Sequence, residues 1–301
     1  MKRFSQYPTV AWVRTYKKPL AIIIITISLV LLVIYTLLHP ELITNLMRTD
    51  PRVLVILCVL YGLIVVSQLF IMLAVIRLCG KQLPFKRGVL LSIYSTLINF
   101  FGPLQSGPSA RAVYLKAAIK LRIRDYILAT MYYYFAFGAI SGSLLFINTV
   151  PILTVVGIVL SIIITIAGTK KLHLEKLSKY IFIIYSVTAL QVLITATIYY
   201  LELNVTSSMH YSTMQAFVYT ASANLSMFVS ITPGAIGIRE AFVVFAQSLH
   251  HIPLVSIVAA GVLDRAFYIV FLFILFIFTS GIHLQDMFSR KEATQMTSDS
   301  V

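Results

Sequence analysis

The chain is short of charge, above all of negative charge. Asp, Glu, Lys and Arg make up 11% of its 301 residues, and only 10 residues are acidic. A soluble domain carries about 25% charged residues, so a water-soluble body is excluded. Cysteine is scarce too. Cys58 and Cys79 share one apolar segment, which excludes a disulfide framework and argues against a metal site. The six histidines lie mostly at loop edges without metal-ligand spacing. No Ser/His/Asp arrangement and no nucleotide-binding motif is readable, so no catalytic residue, metal or cofactor is assigned. What the chain has is apolar length. Hydrophobic residues make up 59% of it, in runs such as Leu20–Leu38 and Val53–Ile76. About 20 residues at 1.5 Å each cover a hydrocarbon core of ~30 Å.

The 24 basic residues give a formal net charge of +14. They cluster in short loops, which marks membrane topology and not nucleic-acid binding. Lys2, Arg3, Arg14, Lys17 and Lys18 precede Leu20–Leu38 and place the N-terminus in the cytoplasm. That run is long for a signal peptide and lacks a cleavage pattern, so it reads as a retained anchor. Val53–Leu78 returns to a second basic cluster, Arg77, Lys81, Lys86 and Arg87. Further crossings are Tyr126–Ile147, Ile152–Gly168, Tyr180–Leu201 and Leu254–Ile282. The loop 202–213, with Glu202 its one charge, fits the outside. Gly138 and Gly142 permit close helix packing within the protomer. Residues 291–301 read as a disordered cytoplasmic tail.

Two segments do not read as simple crossings, the first being too short and the second polar and broken, with only Ile236–Leu249 apolar after its break. Gly88–Phe101 is flanked by basic residues on both sides and followed by breaks at Gly102, Pro103, Gly107 and Pro108. Residues 213–249 carry Ser222, Asn224, Ser226, Ser230 and Thr232, and break at Pro233, Gly234 and Gly237. A broken backbone in the bilayer is tolerable only against protein or water, so both read as re-entrant hairpins. A surface-lying amphipathic helix is the alternative for the first. The expected fold is therefore an all-α polytopic membrane protein with about six crossings and two re-entrant hairpins. Three crossings per half set residues 1–148 and 149–290 in opposite orientation, within one transmembrane domain over 1–290. Inverted repeats with broken helices mark transporters, and the breaks point at the binding site.

The two breaks share their chemistry. One offers Asn99, Gln105, Ser106 and Arg111; the other offers Asn224 and Arg239. Free N–H groups at a helix start favour anions, and an arginine beside them makes a phosphate site. Glu240 follows Arg239, and Asp264-Arg265 sits about ten residues inside the last crossing. Neighbours on a helix do not face each other, so Asp264 and Arg265 are expected to find partners at Arg239 or Glu240. A purely structural ion pair is the competing explanation.

The stretch Pro233-Gly-Ala-Ile-Gly-Ile-Arg-Glu240 closely resembles the Pro-Gly-Gly-x-Gly-x-Arg-Glu signature of the lysylphosphatidylglycerol synthase transmembrane-region family. Asn99–Lys116, with Gly102-Pro, Gly107 and Arg111-Ala-Val-Tyr-Leu, is similar to that family's earlier motif. Ala235 stands where a glycine is usual, and Gln105, Ser106 and Ser109 stand where an acid often precedes the arginine. The resemblance implies a flippase-like domain in a bacterial inner membrane, with both termini cytoplasmic. Its implied substrate is a phosphate-bearing phospholipid or glycolipid, anionic, aminoacylated or glycosylated. It implies a site without the family's soluble synthase domain, so a separate lipid synthase is a candidate partner, and an oligomer is open. On this reading Arg111, Arg239, Asn99, Gln105, Ser106 and Asn224 bind the head group, while Glu240, Asp264 and Arg265 set the charge. The alternatives are a membrane-embedded enzyme or subunit of glycolipid or modified-phospholipid synthesis, and a structural anchor for a synthase.

Overall fold

A computed structural model describes residues 49–101, 106–171, 178–206, 209–229, 235 and 237–298. The expected first crossing Leu20–Leu38 and the residues Gly102, Pro103, Gln105, Pro233 and Gly234 lie outside them. The described chain is helical. In order it forms α1 (Pro51–Leu78), α2 (Phe85–Phe101), α3 (Ser106–Ile119), α4 (Ile123–Leu144) and α5 (Pro151–Lys171). There follow α6 (Ser178–Thr206), α7 (Thr213–Ser226), α8 (Ile238–Phe245), α9 (Gln247–His250) and α10 (Leu254–Ser298).

Local sequence sets these boundaries. Asp50 caps α1, its Oδ1 accepting from the Arg52 amide at 2.8 Å, with Pro51 at the first helical position, where a missing N–H costs nothing. Ser212 and Gln215 close a reciprocal capping box on α7, which satisfies two of the free amides there.

Five described segments are long and apolar enough to cross a membrane: Pro51–Leu78, Ile123–Leu144, Pro151–Thr169, Ser178–Thr206 and Leu254–Thr279. Their outer surfaces are apolar. On α5, Ile152, Val155, Val156, Val159, Ile163 and Ile166 are all exposed. A continuous apolar face of this kind fits lipid, not water. Hydroxyls within the spans donate back to their own helix, as Thr130 does to the Tyr126 carbonyl at 2.7 Å and Thr188 to Ile184 at 2.6 Å. They are thereby satisfied without water. This is a multi-pass membrane protein.

The two short pairs, α2–α3 and α7–α8, have equivalent neighbours. α2 packs on α1 and α10, while α7 packs on α6 and α4. α3 touches α4, and α8 touches α10. Each pair thus lies against the long helix that precedes it, with α10 beside α2 and α4 beside α7. The main apolar core gathers Met72, Val75 and Ile76 of α1 with Leu91 of α2, Leu115 of α3, Tyr126 and Ala129 of α4 and Ile184 of α6. The long face between α1 and α6 is its backbone.

Two sequence expectations change here. α6 runs on to Thr206, so Glu202 is a fully buried helical residue and not part of an outside loop. No glycine or proline ends the helix before it, and its Oε1 lies 3.4 Å from the Tyr61 hydroxyl. The α10 backbone is helical to Ser298, past the boundary at 290 where composition points to a disordered tail. Extending an existing helix is far easier than starting one.

Candidate functional site

The first half-helix pair is held tightly at Gly107. A Cβ there would lie 2.5 Å from the Ser95 carbonyl oxygen and 2.8 Å from Asn99 Cβ. Only glycine lets α3 approach α2 this closely. That approach sets Arg111, on the second turn of α3, against α2. Arg111 Nε donates to Ser95 Oγ at 2.5 Å, and Nη1 donates to Gln68 Oε1 of α1 at 3.3 Å. Gln68 Nε2 continues the chain to Tyr133 Oη of α4 at 3.1 Å and Gln191 Oε1 of α6 at 3.2 Å. Every one of these partners is neutral. Among the described residues Arg111 has no acidic partner.

The second half-helix starts on a glycine as well. Gly237 has φ +82°, a left-handed conformation. Its amide donates to Glu240 Oε2 at 2.7 Å, so the acid caps the start of its own helix. Ala235 also stands in the left-handed region, with φ +57°. Arg239 then reaches Asp264 of α10, Nη2 to Oδ2, at 2.5 Å. Arg265 reaches Glu240 Oε1 at 3.1 Å. Asp264 and Arg265 are adjacent on α10 and so point in different directions, one to each charge of the Arg239-Glu240 pair. Arg239 Nη1 also donates to Tyr199 Oη of α6 at 3.1 Å. The Tyr61 hydroxyl of α1 donates to Asp264 Oδ1 at 2.5 Å.

Both arginines line one cavity of about 260 Å³, together with Asn99, Asn224, Pro108, Asp264 and Arg265. Asn99 Oδ1 is buried there and has no hydrogen-bond partner among the described residues. Asn224 is nearly sealed, and its Nδ2 donates to Ser141 Oγ of α4 at 3.2 Å. Ser106 does not reach the cavity; its hydroxyl donates to the Ile98 carbonyl at 2.8 Å and ties the two half-helices together. Glu240 stands behind the lining as a cap and ion-pair partner. Gly138 makes room for Phe228, which meets it just after α7. Gly142 has nothing within 4 Å of an added Cβ.

Sequence reasoning missed Gln68, Ser95, Tyr133 and Gln191, which fix Arg111, and Tyr61, Tyr199 and Glu202, which surround Asp264. Gln68 and Gln191 carried a signal. A glutamine in the middle of an otherwise apolar span needs a partner. The tyrosines carried none, because a tyrosine in such a helix serves equally well as packing.

The pattern of the lysylphosphatidylglycerol synthase TM region matches residues 20–275. The chain belongs to this family. No curated protein is similar enough to match it. Membership of the family carries a membrane role related to lipid, borne here by helices that line a mostly apolar cavity with a few charged and polar side chains in its wall.

Proposed function

We propose that this member of the family is a flippase-type transporter, not an enzyme, that passes a phosphate-bearing lipid between leaflets of the bacterial inner membrane. The observation that carries the reading is Arg111. A guanidinium held among neutral oxygens, in a cavity within an apolar bundle, calls for an anion. A lipid phosphate matches its planar donors. Asn99 Oδ1, buried on the same cavity and unpartnered, would accept from a hydroxyl or ammonium group on the head group. The cavity volume of about 260 Å³ suits a head group whose acyl chains remain in the bilayer.

The paired packing of α2–α3 and α7–α8 supports re-entrant hairpins in inverted halves. α3 and α7, at 14 residues each, are too short to span alone. In this arrangement Arg111 takes the phosphate first and Arg239 receives it when Asp264 lets go. Both termini lie in the cytoplasm, and a separate synthase supplies the lipid.

Reconstitution tests this. Vesicles containing a short-chain phosphatidylglycerol with a fluorescent acyl chain are quenched from outside by dithionite. Wild-type protein should speed loss of the inner-leaflet signal over protein-free vesicles, and Arg111→Ala should reduce that gain at least tenfold. A wild type no faster than protein-free vesicles would falsify the proposal. Native mass spectrometry of wild type and Arg111→Ala would name the retained lipid.

A further inference from the structure

The charged cluster continues past the cavity wall. Behind Asp264, at the end of α6, lies Glu202, which is 0% exposed. Among the described residues the titratable and charged groups around it are Tyr61 of α1, Tyr199 of α6 itself, Tyr219 of α7, Arg239 of α8, and Asp264 and Arg265 of α10. Its Oε2 is buried without a hydrogen-bond partner among the described residues, and its Oε1 lies 3.4 Å from the Tyr61 hydroxyl.

Two arguments give this carboxyl a proton. The first is a count of charges. Arg239 and Arg265 are balanced by Asp264 and Glu240 in direct ion pairs. Among the described residues Glu202 is the third carboxyl in a cluster with two cations. An ionised carboxylate there, sealed from water, carries a desolvation penalty that Tyr61 and the two arginines, already paired elsewhere, offset only in part. The second is the tyrosine. A phenol has one proton to donate. At 2.5 Å from Asp264 Oδ1, the Tyr61 proton goes to Asp264. The Tyr61 oxygen is left as an acceptor toward Glu202, and a protonated Glu202 supplies the donor.

We propose that Glu202 carries the coupling proton for lipid movement; this rests on the transporter reading above. Glu202 gives its Oε1 proton to the Tyr61 oxygen as Tyr61 gives its own to Asp264 Oδ1. Two O–H bonds break and two form. Glu202 becomes a carboxylate, Asp264 becomes neutral and Tyr61 is unchanged. A neutral Asp264 no longer compensates Arg239, whose guanidinium turns to the lipid phosphate. A proton taken up from solution by Glu202 then cancels the charge the phosphate brings. The lipid anion and one proton move together.

The same vesicles test this under a pH difference of one unit. One proton per lipid shifts the steady-state leaflet ratio of the labelled lipid about tenfold per pH unit. Wild type should show this shift beyond protein-free vesicles. Glu202→Gln, which keeps the shape of the protonated side chain, should hold the ratio near one with the gradient in place. Lipid movement in wild type without the shift, or a shift retained in Glu202→Gln, overturns the coupling and leaves transport standing. No movement in wild type overturns transport and coupling together. Should Glu202→Gln fail to fold, Tyr61→Phe interrupts the same relay and should lose the shift; a shift retained there overturns the relay.

Discussion

The two broken-helix regions carry the same residue types and treat their arginine in opposite ways. On α3, Arg111 is held by Ser95 and Gln68, both neutral. On α8, Arg239 is locked to Asp264, and Glu240 is shared with Arg265. One arm presents an open positive charge; the other presents a charge already cancelled. Apart from Glu240, which is more than a third exposed, the second arm's charged side chains are nearly buried. Two sites of like composition can therefore do different work. The neutral-partnered arginine is free to meet an anion, and the paired one must first be released.

The largest expected effect separates the two arms by stability. Arg239→Ala strands Asp264 as a buried lone charge, which costs about 3–5 kcal/mol. Thermal unfolding in detergent should show a clear loss for this variant. Arg111→Ala strands no charge and should leave the unfolding temperature near wild type while lipid movement falls. If both variants melt alike, the distinction between the arms is lost. Replacing the pair together, as Arg239→Gln with Asp264→Asn, should cost less than Arg239→Ala alone. A cost equal to or above the single variant's would show that the ion pair is not the main term.

Gly107→Ala comes next. The added methyl meets the Ser95 carbonyl and Asn99, and such overpacking costs about 1–3 kcal/mol. The expected result is a lower melting point with lipid binding lost, since Arg111 and Asn99 are held at that contact. Retained lipid binding in native mass spectrometry would detach the contact from the site. Ala235→Gly works in the other arm and in the opposite direction. The left-handed φ of +57° costs an L-residue about 1–2 kcal/mol. Glycine should recover about 1 kcal/mol, readable as a rise in melting temperature; a fall would show that the alanine methyl packs usefully.

The smallest effect is on pH. His250 follows the second pair and is fully buried. Its Nδ1 accepts from the Ile252 amide at 3.0 Å, and its Nε2 pairs with the Val243 carbonyl at 2.9 Å. Burial, first, and the neighbouring His251 hold its pKa below the ordinary value. The unfolded chain then binds the proton more readily than the folded one. The contribution of His250 is therefore present above the unfolded pKa of about 6.5 and falls away as pH drops through that value toward the folded one. Melting should fall from pH 7.5 to pH 5 more in wild type than in His250→Gln, and equal slopes would remove His250 from the account.

Much of the frame was legible in the chain. The five described spans coincide with the expected apolar runs, and α2 ends at Phe101 while α8 begins after Gly237, beside the expected breaks. The expected partners of Asp264 and Arg265 are the ones found. Less of the site was legible. Ser106 looked like a lining residue because it sits beside Gly107, but a hydroxyl that close to the end of α2 finds the Ile98 carbonyl first. Glu202 looked external because a charge near the end of an apolar run usually marks the boundary. Its partner Tyr61 lies 141 residues away, beyond any local pattern.

The sequence by itself determined that this is a helical membrane protein of the family shown, with long apolar spans and two pairs of shorter helices between them. Those properties follow from hydropathy, charge placement and backbone freedom, which act over a few turns of chain. Only the tertiary structure decided which arginine is neutralised and which acid, among the described residues, is left out of an ion pair. Ion pairing and desolvation depend on which helices meet in space, and here the residues that meet come from α1, α6, α8 and α10.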